Sequence, residues 1–344
     1  MKRITKHKGF TLVELMVSIV LGLLIVAAAI QLFITGQTSL NLQRSMAEIQ
    51  ENGNFGLNYV LQDVRKLNLD ASQAIINDKN LYGGIVLTSL ASYPSTLTAA
   101  QKEAATANLP VNLLATKVPK SLLTRGAGQG SLTGSTNVTG KSGDDVAISA
   151  SDQLVIQYKA VELNTTDCEG GNITQQDIDD GTFIVQRYFL RKDGSNDNDL
   201  ALACDAGRYK TMVAALPTEI TGYGGNGEII MRRVDHFHVL LGVKENNSNE
   251  FRYMSILDYM GNGTDDLDIA SVATRPRVMS IQLGILVRGS DNTRDSLVKG
   301  DQEYSVLDQK VKLTATAQSS GKYLRQVITQ TIALRNGYGL TETL

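Results

Sequence analysis

Few residues in this 344-residue chain are of the types that do chemistry, and fewer stand at spacings that chemistry uses. Cys168 and Cys204 are the only cysteines, each on a loop-like flank, in Thr-Asp-Cys-Glu-Gly-Gly and Leu-Ala-Cys-Asp-Ala-Gly. A metal or redox pair wants CxxC spacing or neighbouring His ligands, and neither is present. In an exported domain an even pair argues instead for one disulfide. His236 and His238 alternate in Arg-Val-Asp-His-Phe-His-Val, which puts both on one face of a strand. A two-His metal platform competes there with polar positions on an exposed strand face, and the second reading is preferred. Asp193, Ser195, Asp197 and Asp199 imitate the start of a calcium loop, but Asn198 stands where Gly is needed and Cys204 where Glu is needed. That stretch reads as a solvated turn, and the acidic group Asp265, Asp266 and Asp268 is equally ambiguous. A GxSxG elbow, a Walker loop and a dinucleotide fingerprint are all missing. The expectation is therefore a non-enzymatic chain with no catalytic, cofactor-binding or metal site.

Glu14 is the residue that demands an explanation. It stands at the edge of the run Leu15–Ile34, LMVSIVLGLLIVAAAIQLFI, which contains no charge. Twenty helical residues at 1.5 Å each span about 30 Å, the thickness of a bilayer's hydrocarbon core. A carboxylate at the edge of such a span is unfavourable and normally has a partner. Lys2, Arg3, Lys6 and Lys8 precede the run, so the positive-inside rule puts the amino terminus in the cytoplasm and the bulk of the chain outside. An ordinary single-span anchor and a secretory signal cut at Ala27–Ala29 are the bland readings, and both leave Glu14 unexplained.

The string Lys8-Gly9-Phe10-Thr11-Leu12-Val13-Glu14, followed by an apolar run, resembles the class III signal of type IV pilins and pseudopilins. The resemblance implies cleavage by prepilin peptidase between Gly9 and Phe10 and N-methylation of Phe10. It also implies that Glu14, then the fifth residue of the mature chain, serves subunit assembly. The apolar run stays attached after this cut, so one segment is a membrane anchor before assembly and a packing helix afterwards. Glu14 can then pair with the new amine of a neighbouring subunit, offsetting the desolvation of both charges.

The elements that would carry these residues follow from periodicity. Leu42, Met46, Ile49, Gly53, Leu57, Val60 or Leu61, Val64 and Leu67 form a helical stripe, with Arg44, Glu48, Glu51, Asp63 and Lys66 opposite. A nearly continuous helix from about 10 to 67 is expected, with Gly22, Gly36, Gly53 and Gly56 as points where it could bend. Beyond it, strands are expected over 84–87, 153–163, 182–192, 209–215, 228–243, 251–257, 277–288, 311–317 and 326–334. One short helix is expected near 98–107, and 124–145 reads as a Gly/Ser/Thr-rich loop. No βαβ repeat appears, so the fold class is α+β: a long amino-terminal helix packed on a mainly antiparallel β head with large loop insertions. The division is leader 1–9, transmembrane or filament-core helix 10–35, amphipathic continuation 36–68 and head 69–344.

Composition agrees with a core-forming chain, at 42% hydrophobic and 20% charged residues. The formal charge of −2 offers no argument for nucleic-acid binding, and losing the four leader cations takes it to −6 before the new amine is counted. That balance disfavours bulk DNA affinity but not DNA contact at a local patch such as Arg232 and Arg233. The segments 234–243, 275–288 and 323–336 resemble the closing strands of the PilW group of minor pilins. That resemblance implies a minor pilin that primes type IV pilus assembly at the tip, for twitching, adhesion or DNA uptake. Its implied partners are prepilin peptidase, other minor pilins and the major pilin. The chain would sit in the bacterial inner membrane with its head periplasmic, and later at the pilus or cell surface. A minor pseudopilin of type II secretion and a membrane-anchored adhesin or ligand-binding module are the alternatives.

Overall fold

No proline occurs before Pro94, so nothing breaks the helical pattern behind Thr11. In a computed structural model, which describes residues 9–71, 73–93, 107–127, 129, 134–142, 146–194, 196–244, 250–261, 275–292 and 300–337, one helix α1 runs Leu12–Lys66. Its 55 residues span about 80 Å. It stops where Asn68 turns left-handed, at φ 62°, and uses its amide to bond the carbonyls of Gln73 and Asn336. The first half of α1 stands clear of the described strands, and its apolar side chains from Leu12 to Ile34 are exposed. The second half buries Ser45, Ile49, Gly53, Gly56, Leu57, Val60, Leu61, Asp63 and Val64 on one face. Each aliphatic side chain buried there favours docking by about 1.5 to 3 kcal/mol.

Twelve strands follow among the described residues. They are β1 (Val138–Ser142), β2 (Val146–Ala147), β3 (Leu154–Lys159), β4 (Phe183–Lys192), β5 (Leu200–Tyr209) and β6 (Glu228–Arg232). Then come β7 (Val234–Lys244), β8 (Phe251–Ser255), β9 (Arg277–Asn292), β10 (Glu303–Val306), β11 (Gln309–Leu313) and β12 (Tyr323–Ala333). Short helices α2 (Gln175–Asp179), α3 (Ile256–Met260) and α4 (Ala315–Ser319) punctuate them. Every strand pairing is antiparallel, in three four-stranded sheets ordered β3-β4-β5-β6, β12-β9-β7-β8 and β10-β11-β1-β2. The architecture is α+β.

The main core joins the α1 stripe to Ile156, Tyr188 and Leu202 of one sheet and to Phe237, Ile281 and Ile285 of another. The third sheet packs Val306, Val311 and Leu313 against Leu286 on the other face of β9. Strand β9 is thus covered on both faces, with Ile281 and Ile285 in the main core and Leu286 under the third sheet.

Several expectations change. Strand β5 lies earlier than the expected 209–215, and it places Cys204 inside a sheet rather than on a loop flank. Its small residues, Leu-Ala-Leu-Ala-Cys-Asp-Ala-Gly, have weak strand propensity, but they fit a strand buried along nearly its whole length. Residues 138–142 of the expected loop form β1, because β11 supplies a partner 175 residues away in register Val138↔Leu313. The long strand expected over 228–243 is broken at Arg233, where φ is 59°. Residues 84–87 contribute one bridge, Ile85↔Ile156, instead of a strand. The strand over 251–257 ends in α3, and that over 311–317 ends where Thr314 caps α4. Gly53 and Gly56 are points of close approach rather than bends: a Cβ on Gly53 would lie 2.1 Å from Ile328 Cδ1, and one on Gly56 would lie 2.6 Å from Met231 Cε. Residues 98–106 of the expected short helix, and Asp265, Asp266 and Asp268, lie outside the described residues.

Candidate functional site

The start of α1 gathers the residues picked out by the sequence motif. Gly9 and Phe10 precede the helix in non-helical conformation, with Phe10 85% exposed and open space around Gly9. The Gly9–Phe10 bond, where the motif resemblance implies cleavage, is therefore accessible. Thr11 is the N-cap, in extended conformation at φ −76°, ψ 151°. Its hydroxyl oxygen accepts from the Glu14 amide at 3.2 Å, while the Glu14 carboxylate accepts from the Thr11 amide at 3.4 Å. This reciprocal pair is a capping box, and the carboxylate also sits at the positive end of the helix dipole. The Thr-x-x-Glu spacing could have disclosed it in the sequence. Glu14 thus has a partner within its own chain. The cap uses the amide of Thr11, one residue beyond the Gly9–Phe10 bond, so cleavage there would leave it intact.

In the head, the two-residue spacing does bring His236 and His238 to one face, with ring centroids 6.5 Å apart. That face is not exposed, contrary to expectation: the residues are 0% and 1% accessible, because the β10–β11 turn folds over them. His238 donates from Nδ1 to Asp152 at 2.6 Å and from Nε2 to Asp308 at 2.7 Å. Burial opposes its charge, but the two carboxylates outweigh burial and push its pKa up to about 9. His236 donates from Nε2 to Gln309 Oε1 at 2.8 Å and accepts at Nδ1 from Thr136 at 2.9 Å. Burial, together with the neighbouring His238 charge, pushes its pKa down to about 4 despite the Gln309 bond. These ring nitrogens are used to fasten the third sheet to the second. Among the described residues no group of three or more His, Cys, Asp or Glu is disposed to hold a metal ion.

The calcium-like turn is also spoken for. Asp193 pairs with Arg232 at 2.9 Å, Asp197 with Lys192 at 2.5 Å and Asp199 with Arg288, so three carboxylates face three separate cations. Ser195 lies outside the described residues. Cys168 and Cys204 are bonded, with Cα atoms 6.1 Å apart, and both are buried. The bridge ties the 165–173 loop to β5, and Tyr59 of α1 donates to the Cys168 carbonyl at 3.1 Å. Asp63, expected on the solvent side of α1, is instead buried against Tyr188.

Comparison with known proteins adds to the geometry. Residues 4–30 match the prokaryotic N-terminal methylation motif, and residues 187–336 match the family Type IV Pilus-assembly protein W, PilW. No curated protein matches the chain. Among solved structures, the type IV-like pilin TTHA1219 from Thermus thermophilus is similar over 60% of this chain and 86% of its own, at 16% identity and a TM-score of 0.24. The methylation motif covers the capped start of α1, and the PilW match runs from β4 through β12 to the loop that Asn68 holds to the end of α1. Residues 187–336 thus form a PilW-family domain, and the chain carries the prokaryotic N-terminal methylation motif ahead of it.

Proposed function

We propose that this chain is a minor pilin that is cut between Gly9 and Phe10, methylated at Phe10 and built into a type IV pilus, where it primes assembly at the tip. The domain division at residues 9, 35 and 68 belongs to the same reading. The observation that supports it most is the contrast within α1. The half before about residue 40 is apolar, exposed and long enough to cross a bilayer, while the half after it is docked into the head. Such a helix is stable in lipid as an anchor, and in a filament it needs the helices of other subunits to cover it. The leader cations favour a cytoplasmic amino terminus and a periplasmic head.

Within this reading Glu14 has two functions that can be separated. Its capping role needs only a side-chain acceptor, which Gln also supplies. Pairing with a neighbour's terminal amine needs the negative charge. Glu14→Gln is therefore expected to keep α1 capped and leave cleavage unchanged, yet to be depleted from sheared pili. Immunoblotting of membrane and pilus fractions measures both. Normal incorporation of Glu14→Gln would overturn the assembly role, and an uncut Gly9→Val precursor that still enters pili would overturn the processing step.

A further inference from the structure

Arg233 is anomalous in three independent respects. It occupies the corner between β6 and β7 at φ 59°, a left-handed conformation that favours glycine. Its Nε is buried without a hydrogen-bond partner. Its ion pair is a loose one, with the Glu48 carboxylate of α1 standing 4.0 Å from Nη2. That Glu48 oxygen is already engaged by the Ser290 hydroxyl at 2.5 Å and the Ser290 amide at 3.3 Å.

The surroundings give this arginine somewhere to act. It lines a cleft of about 340 Å3 together with Arg232, Arg288, Asp193, Asp199 and Ser290. Both aspartates there are committed, Asp193 to Arg232 and Asp199 to Arg288. Arg288 is further held by Asp235 at 3.4 Å. Of the three guanidinium groups, Arg232 and Arg288 are held closely by their carboxylates, and the loosely paired one is Arg233, still one-third exposed. A guanidinium offers five donors in a planar fork matched to a carboxylate, and a buried, unpartnered Nε in a strained position is a feature that folding alone does not favour. Glu48 illustrates the fit, since a carboxylate already stands between Ser290 and Arg233.

We propose that this cleft is a carboxylate-binding site and that Arg233 is the residue its ligand engages. Carboxylate binding at this site stands independently of the filament reading, and only the assignment to another subunit rests on it. The carboxylate comes either from a free dicarboxylate or from an acidic side chain of another subunit, and the chemistry at Arg233 is the same.

The test uses the full chain in detergent micelles, with sodium succinate as probe and sodium chloride at matched ionic strength as control. Succinate is expected to raise the thermal midpoint of the wild type. Arg233→Lys keeps the charge without the fork, and its half-saturating concentration is expected to rise by about tenfold. Arg233→Gly should lose the response while its own midpoint without ligand is no lower, because glycine accepts φ 59°. A midpoint that falls on Arg233→Gly would make Arg233 a structural residue and overturn the proposal. So would an equal succinate response in both proteins, a phosphate response as large as that to succinate, or no response up to about 100 mM. Half-saturation below about 1 mM identifies a free small molecule as the source. Half-saturation well above that, with Arg233→Gly lost from pili while still cleaved, identifies a side chain of another subunit.

Discussion

Asp63, in the last turn of α1, accepts a 2.7 Å hydrogen bond from the hydroxyl of Tyr188 in the middle of β4, and both residues are buried. Lys66 supplies a second contact to the carboxylate at 3.1 Å from the rim. A buried carboxylate is costly unless its oxygens are satisfied, so this pair specifies where the helix ends on the sheet as well as how firmly it is held.

Tyr188→Phe is expected to destabilise the head by about 1 to 3 kcal/mol, since it strands one Asp63 oxygen away from water. Adding Asp63→Asn removes the buried charge, so the double variant should be less damaged than the two single effects combined. Chemical denaturation of all four proteins gives the coupling. Strictly additive effects would show that the two groups do not act as a unit.

The two histidines make opposite pH predictions. His238, raised to about 9 from an ordinary 6.5, keeps its proton in the folded state where the unfolded chain has lost it. Its contribution is complete below pH 6.5 and disappears as pH climbs to about 9. His236, lowered to about 4, stays neutral where the unfolded chain takes up a proton. Its contribution is complete above pH 6.5 and is lost as pH falls towards 4. Stability should therefore peak near pH 6.5, and His238→Gln should flatten the alkaline limb. Thermal midpoints across pH 4 to 9, the span between the two shifted values, test this, and an unchanged alkaline limb in His238→Gln would count against it.

Reduction of the disulfide should matter to the helix as well as to the head. Cys168 and Cys204 are separated by 36 positions, for which the chain-entropy account gives roughly 3 to 4 kcal/mol. Because Tyr59 bonds the Cys168 carbonyl, hydrogen exchange should also quicken around residues 56–64 of α1 on reduction. A Cys168→Ser/Cys204→Ser variant with an unaltered melting midpoint would contradict this.

Gly53→Ala reverses the usual helix rule. Alanine favours an isolated helix by about 0.8 to 1 kcal/mol, yet here its methyl would meet Ile328 at 2.1 Å. A net loss of about 1 to 3 kcal/mol is expected, and Ile328→Val, which removes the obstructing Cδ1, should restore part of it. A melting midpoint raised by Gly53→Ala alone would show that α1 does not press on β12.

What could be read before folding is what depends on neighbours in the sequence. The apolar length of Leu15–Ile34, the stripe from Ile49 to Val64 and the aliphatic alternation of β4, β7, β9 and β12 are local patterns, and the structure reproduces them as elements. The cap formed by Thr11 and Glu14 was equally local and only awaited recognition. Other features required partners brought from far away. Strand β1 looks like a loop until β11 lies beside it. The small residues of β5 make a strand only because neighbouring sheets and helix exclude water from it. Asp63 looks like a solvated charge until Tyr188 reaches it, and the histidines look exposed until the turn at Asp308 and Gln309 covers them. Periodicity reports which side of an element is apolar, and short motifs report local caps and cuts. Which polar group is buried, and against what, is decided only when distant segments compete with water for it, and that is a property of the tertiary structure.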